Sequence, residues 1–290
     1  MITDVNDMNL VKLLEPMQKS SIRIEYGDSS DTELPVGSSK IGGKPDLPPD
    51  FEWYYFRGES FDGITETRPL SFLAQINCEE VSKYNIDLLL PSKGVLYFFY
   101  ELDTMTWGFD PKDRGSATVY YYAGDLTDLR KTDFPIDLHE DYIIPEFPIM
   151  FSSMIELPDF EEFLELHDDG LNHILWEAYD EAKNTIVVEN EDEAITKLLG
   201  YANVIQNGML LECELASNGV FVGNSDGYAN ISTQQKENSK KWQLLLQLDS
   251  ILTGEYEMLW GDVGRIYFYI NTDDLNAMNF NNCWLILQCS

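Results

Sequence analysis

Apolar and polar positions along the chain change period several times, and each change marks an element. From Asn9 to Lys19, Leu10, Leu13, Leu14 and Met17 recur at helical spacing and predict a short helix whose regularity Pro16 limits. Ser21 to Tyr26 alternates Ile22, Ile24 and Tyr26 with polar residues, the period-two pattern of a half-buried strand. After a polar stretch, Gly27 to Lys40, residues 41–53 hold too many Gly and Pro for a regular element and read as shaped loop. Pro69 to Asn77 reads as a mostly buried strand and Glu79 to Leu89 as a helix. Val95 to Tyr100 is β-branched and aromatic enough for a central strand, with Ala117 to Ala123 as its neighbour.

The middle third differs. Tyr142 to Phe151 holds Pro145 and Pro148 among apolar residues, and Pro158 to His167 is an acidic helix with Phe160, Phe163, Leu164 and His167 on one face. Leu171 to Lys183 predicts a second helix, and Ala194 to Leu199 a last helical turn that Gly200 ends.

The final ninety residues resemble the first hundred and twenty in order. Leu198-Leu199-Gly200-Tyr201-Ala202-Asn203 lies where Lys40-Ile41-Gly42-Gly43-Lys44-Pro45-Asp46 lay. Trp242 to Asp249 matches Pro69 to Asn77 with glutamine in the same place, Gly264 to Tyr269 matches Gly94 to Phe99, and Cys283 to Gln288 stands for Ala117 to Tyr122. A duplicated unit explains this order. The expected fold is α+β, one body over 1–290 in which two similar, mostly antiparallel β units are related by internal duplication, each unit forming its own sheet. The first repeat spans 20–123, the second 200–290, and an acidic helical connector, 152–199, joins them.

Charge narrows the partners. Lys+Arg number 19 against 51 Asp+Glu, a formal charge of −32, so nucleic acid and anionic membranes are excluded by the mean field. The connector holds 14 acids and two lysines, which makes it the first place to seek a basic partner. The amino-terminal residues have no basic or apolar signal pattern and no apolar run approaches a membrane span, so cytoplasmic residence is expected. Cys78, Cys213, Cys283 and Cys289 sit at no metal-ligand spacing and read as buried free thiols.

Catalytic signatures are sparse. The strand–turn–helix serine elbow, dinucleotide glycines and a phosphate loop are absent, and Ser39 beside Lys40 reads as a loop serine next to a solvated lysine. His167, Asp168, Asp169 and His173 suit a divalent metal chemically, but positions six apart diverge on a helix, so no metal and no cofactor are expected. Asp103, Asp110, Asp113, Asp226, Asp262, Asp273 and Asp274 occupy loops without completing a calcium loop.

The candidate binding residues come from the repeats. Gln75 with Asn77, and Gln247 with Asp249, put polar groups at alternate positions of apolar strands. They either bond the Gly/Pro loop of their own repeat, with Gly42, Gly43 and Asp46, or line a cleft between the repeats. Trp107 with Gly108, and Trp260 with Gly261 and Asp262, are either a recognition surface or plugs under long loops.

Ser39 to Pro48, Pro69 to Asn77, Leu90 to Phe99, Leu198-Leu199-Gly200, Trp242 to Asp249 and Trp260-Gly261-Asp262-x-Gly264 together resemble the YwqG-like bacterial domain, from about residue 20 onward. A departure follows Tyr201, where the family usually has a proline and this chain has Ala202-Asn203-Val204. The resemblance implies an α+β fold, no agreed catalytic set, and bacterial gene neighbourhoods that include toxin systems and their immunity proteins. The resulting expectation is a non-enzymatic, protein-binding factor, immunity-type or accessory, for a basic protein partner. The alternative is a small-molecule-binding protein or hydrolase with its site between the repeats.

Overall fold

The run Val95 to Tyr100 is buried at all of its positions, so it must pack on both sides of whatever sheet it joins. The computed structural model describes residues 7–27, 33–167, 171, 174–187, 195–254 and 256–290, and of residues 7–9 the backbone alone. In chain order the strands begin with β1 (Lys19–Tyr26), β2 (Lys40–Ile41), β3 (Asp46–Leu47), β4 (Tyr55–Glu59) and β5 (Thr65–Pro69). Next come β6 (Ser71–Asn77), β7 (Val95–Tyr100), β8 (Ala117–Tyr122), β9 (Arg130–Lys131) and β10 (Phe147–Glu156). The remainder are β11 (Thr196–Leu199), β12 (Trp242–Asp249), β13 (Ile251–Leu252), β14 (Glu257–Met258), β15 (Arg265–Asn271) and β16 (Trp284–Gln288). The helices are α1 (Asp7–Leu14), α2 (Cys78–Val81), α3 (Phe160–Leu166) and α4 (Trp176–Ile186), then α5 (Leu210–Ser217), α6 (Thr233–Ser239) and α7 (Thr272–Asn276).

Ten strands form one antiparallel sheet in the order β16-β15-β12-β11-β1-β10-β2-β6-β7-β8. From the β1–β10 pair outward, each side adds a short strand, a long strand carrying a buried glutamine, and a hairpin-like pair. The register shifts between Phe72 and Ala74 on one side and between Leu244 and Leu246 on the other, so that the extra residue lies two positions before the glutamine in each. The two edge strands approach one another. Trp107, beyond β7, accepts a hydrogen bond through its carbonyl from Leu287 N at 3.0 Å, and Trp284 Nε1 donates to the Gly108 carbonyl at 2.8 Å, so the sheet is nearly closed.

Alternation along the strands then fills two faces. On β7, Leu96, Phe98 and Tyr100 enter the core that both halves share, while Val95, Tyr97 and Phe99 pack outward under the aromatic loop at Phe51, Trp53 and Tyr54. On β15, Ile266, Phe268 and Ile270 face the shared core, and Tyr267 and Tyr269 face α5. The halves meet inside, where the Phe98 and Phe268 rings cross edge to face with centroids 5.2 Å apart. Helices α1, α3 and α4 enclose a separate cluster around Leu14, Phe163 and Tyr179.

Several expectations need correction. The two sheets are one sheet, because β1 and β10 bridge the halves. The connector's ends are strands: residues 152–156 complete β10, and Thr196–Leu199, expected as a helical turn, is β11, buried at all four positions between β1 and β12. A central slot with ladder partners on both sides overrides weak helical spacing. The helix expected over 79–89 stops after Val81, since Asn85 turns back to bond the backbone of Leu89 and Leu90. The second connector helix begins at Trp176 rather than Leu171. The 41–53 loop contributes two-residue strands at each end of its glycine turn.

Phe98→Ala removes the ring that meets its counterpart from the other half. A loss of about 3–5 kcal/mol is expected in urea unfolding monitored by circular dichroism.

Candidate functional site

The predicted polar pairs are buried and fully engaged with loop backbone. Gln75 Oε1 accepts from Asp46 N at 2.9 Å, and its Nε2 donates to the Ser38 carbonyl and to Asp46 Oδ2, both at 2.7 Å. Gln247 repeats the set: Oε1 accepts from Asn203 N at 2.9 Å, and Nε2 donates to the Ile195 carbonyl at 2.7 Å and Asn203 Oδ1 at 3.0 Å. Asn77 N donates to Ser39 Oγ and Asp249 N to Thr196 Oγ1. Tyr97 donates its hydroxyl to the Asp46 carbonyl, and Tyr267 donates to that of Asn203. The side chains differ in detail. Asn77 bonds Gly37 O and caps α2 through Glu79 N, whereas Asp249 pairs with Arg265 Nε at 2.5 Å.

Gly42 and Gly43 sit in the turn these bonds hold, at φ +62° and +68°, and a Cβ on Gly42 would lie 2.1 Å from the Pro145 carbonyl oxygen. Leu199 and Gly200 take the same hand in the second half. Asp46 accepts from Gly37 N through Oδ2, while its Oδ1 is buried without a partner. Lys40, expected in solvent, is only 1% exposed and reaches Glu146 at 2.8 Å; its counterpart Lys197 reaches Glu156 at 2.6 Å. Ser39 is committed to Asn77, which removes it from Lys40 chemistry.

The tryptophans separate. Trp260 is fully buried against Tyr100, with Nε1 unpartnered, and Asp262 stands exposed beside it. Trp107 is half-buried at the seam of the sheet near Phe109. Of the His/Asp cluster, Asp168, Asp169 and His173 lie outside the described residues, and His167 Nδ1 is 2.9 Å from the Phe163 carbonyl. Among the described residues no group of three His, Cys, Asp or Glu is arranged to hold a metal, and all four cysteines are free and buried. Also among them, no helix is long and apolar enough to cross a membrane.

Part of the connector's acid turns inward. Glu156, Asp159, Glu162 and Glu165 recur every third residue and accept backbone N–H groups of the 201–211 stretch. Tyr201 bonds Glu156, Ala202 bonds Glu162, Val204 bonds Asp159, and Leu210 and Leu211 bond Glu165. Burial pushes the Glu162 carboxyl up, with the Lys19 ammonium opposing it. Burial likewise pushes Glu165 up to about 7, against two backbone hydrogen bonds, and Glu212 up to about 7 with help from the Glu165 charge.

Away from both glutamines, a pocket of about 310 Å³ opens between β5, the loop after β7 and residues 137–142. Arg68, 8% exposed, lines it; its Nε is 3.2 Å from Glu101 Oε1 and 3.3 Å from Asp103 Oδ2, while Nη1 and Nη2 are buried without partners. Glu101 is engaged by the backbone of Asp103 and Thr104 and by the Thr104 hydroxyl. Tyr142 donates to Asp103 at 2.5 Å, and that bond, followed by burial, pushes its phenol up to about 12. Tyr55 donates to Asp137 at 3.1 Å across the rim, where His139 and Asp141 are also exposed. The residues lining this pocket include no Ser, Cys, Thr or Lys to act as a nucleophile. Of the carboxylates in this group, sequence reasoning named Asp103 alone. The only local signal was an arginine abutting an apolar strand, since the partners come from three separated segments.

Gln75→Ala and Gln247→Ala each strand a backbone donor and a backbone acceptor, so each should cost about 3 kcal/mol in urea unfolding, with similar values for the two. For pH, Glu165 and Glu212 hold protons more tightly folded than at their ordinary value of 4.5, so their stabilisation is complete below that value and is lost as pH rises through about 7. The urea midpoint should therefore fall from about pH 4.5 to about pH 7 and level off above it, less steeply in Glu212→Gln.

A family profile described as a domain of unknown function, DUF1963, matches residues 39–289, and the chain belongs to that family. No curated protein matches it.

Proposed function

We propose that this member of the DUF1963 family is a non-enzymatic factor that binds a basic protein partner, with the pocket beside Arg68 as the anchor for a cationic group. The observation that carries this reading is the rim: Asp137 and Asp141 stand exposed over a floor where Glu101 and Asp103 already outweigh the single arginine. Apolar contact area adjoins it. Tyr55, which bonds Asp137, and Ile136, its neighbour in sequence, are exposed, and the β4–β5 hairpin that carries Arg68 exposes Phe61 and Ile64 at its turn. The −32 charge supports it further by accelerating encounter with a cationic surface.

The same reading takes the family to be the YwqG-like one and the cell compartment to be the cytoplasm, where buried free thiols persist, with an immunity-type or accessory role. It also takes the two halves as copies of one unit. Matching glutamine, tyrosine and lysine contacts, and a strand order that runs alike outward from β1 and β10, support the duplication. The alternative, a small-molecule site or hydrolase between the repeats, is weaker because Gln75, Asn77, Gln247 and Asp249 already bond loop and neighbouring groups.

Immobilised protein challenged with a defined set of basic and acidic purified proteins tests the binding reading. Retention of basic members at low salt, its loss at high salt, and a weakening of about tenfold in an Asp137→Asn/Asp141→Asn variant are expected. Retention that ignores salt, or that the double variant leaves intact, would sink it.

A further inference from the structure

We infer that the pocket beside Arg68 holds a trimethylammonium head, carried by a small quaternary amine or by a methylated lysine side chain, among the Tyr142 and His139 rings and the aspartates that line it. This rests on the reading of the pocket as an anchor for a cationic group and names the class of that cation. Charge decides the first step. Arg68 and Glu101 neutralise one another in the floor, 3.2 Å apart and both buried, so the charge offered to an occupant is that of Asp103, Asp137 and Asp141. Asp137 and Asp141 are exposed and Asp103 is half-buried, so all three can act on a group that enters. Three aspartates around a cavity of about 310 Å³ repel an anion and attract a cation. They stand around the cavity without converging: among the described residues no group of three His, Cys, Asp or Glu is arranged to hold a metal ion, which points to a larger, organic cation.

The rest of the lining selects among organic cations. A primary ammonium is strongly hydrated and must exchange its water for acceptors on three N–H donors. Two of the aspartates are already engaged: Asp103 accepts the Tyr142 hydroxyl at 2.5 Å and lies 3.3 Å from Arg68 Nε, and Asp137 accepts the Tyr55 hydroxyl at 3.1 Å. Their charge remains in full while part of their accepting capacity is taken. The other walls are Pro69, Leu138 and the two rings of His139 and Tyr142, tilted by 54° with centroids 5.8 Å apart. Both rings are held in place, Tyr142 through its hydroxyl and His139 through Nδ1, which accepts from Asp141 N at 3.3 Å. A trimethylammonium head spreads its charge over C–H surface and needs no acceptor. It gains dispersion from apolar walls and electrostatic attraction from aromatic rings, which is what this lining supplies. The cavity admits such a head with part of its stem.

Calorimetric or NMR titration of the intact chain at low salt decides the matter with four probes. Choline should bind about tenfold tighter than ethanolamine, which has the charge without the methyl groups, and than 3,3-dimethylbutanol, which has the shape without the charge. Nα-acetyl-Nε-trimethyllysine N-methylamide identifies the source: a gain of about tenfold over choline assigns the head to a side chain of a partner protein, and a smaller difference assigns it to a small amine. Tyr142→Phe keeps the ring and should hold choline within about threefold of the wild type, whereas Tyr142→Leu should bring choline down to the level of ethanolamine. Should the leucine variant not fold, the wild-type comparison still decides. Ethanolamine or dimethylbutanol binding as tightly as choline, no saturation by choline up to about 10 mM, or an unchanged choline affinity in folded Tyr142→Leu would overturn the inference. The two readings fail separately: basic proteins retained through Asp137 and Asp141 with no preference for the methylated head would refute only the trimethylammonium site, and choline bound as expected with no basic protein retained would refute only the protein partner.

Discussion

Irregular backbone laid against a sheet that is buried on both faces must find its hydrogen bonds in side chains, and the rest of this structure depends on how that is done. β6 and β12 have no polar face turned to water to which a loop might yield its N–H groups. Each therefore carries a glutamine two positions beyond its bulge, and the amide closes on one donor and one acceptor of the backbone on either side of the adjoining short strand. The bulge is part of the device, because an extra residue there re-aims the side chain out of the strand's alternation. The turns can then keep positive φ at Gly42, Gly43 and Gly200, and even at Leu199, where a side chain pays a steric penalty.

The same constraint reassigns some of the acidity. Glu162 and Glu165 on α3, Asp159 at its N-terminal cap and Glu156 at the end of β10 serve the 201–211 backbone in the way the glutamines serve their turns. Carboxylates are stronger acceptors than amides but resist burial, and the upward pressure on Glu162 and Glu165 is the counterpart of that service. Net charge alone thus overstates the field that reaches solvent from this part of the chain. Acids that do face solvent sit elsewhere, among them Asp137, Glu140 and Asp141.

How much of this the sequence carried depended on whether a contact was local in pattern. The strands at 21–26, 95–100, 117–122 and 242–249 follow from alternation and apolar runs, and the glutamine at matching places in two runs pointed to the elements that hold the turns. Strand β10 was hidden because Pro148 and a half-exposed pattern disguise it, although the proline sits beside the two-residue β2 where few ladder donors are needed. β11 was hidden because four residues cannot establish a period. Lys40 and Lys197 were misleading for a different reason: a buried lysine is identified by its carboxylate, and Glu146 and Glu156 are 106 and 41 residues away in sequence.

The pocket beside Arg68 was beyond reach on the same ground, and its chemistry follows from an imbalance rather than from a motif. In the two lysine pairs each buried cation meets a carboxylate head on, and the fold is served. At Arg68 two carboxylates converge on Nε, and the two Nη groups are buried without a hydrogen-bond partner in the fold. A lysine there would satisfy Glu101 and Asp103 without leaving a planar fork unfilled.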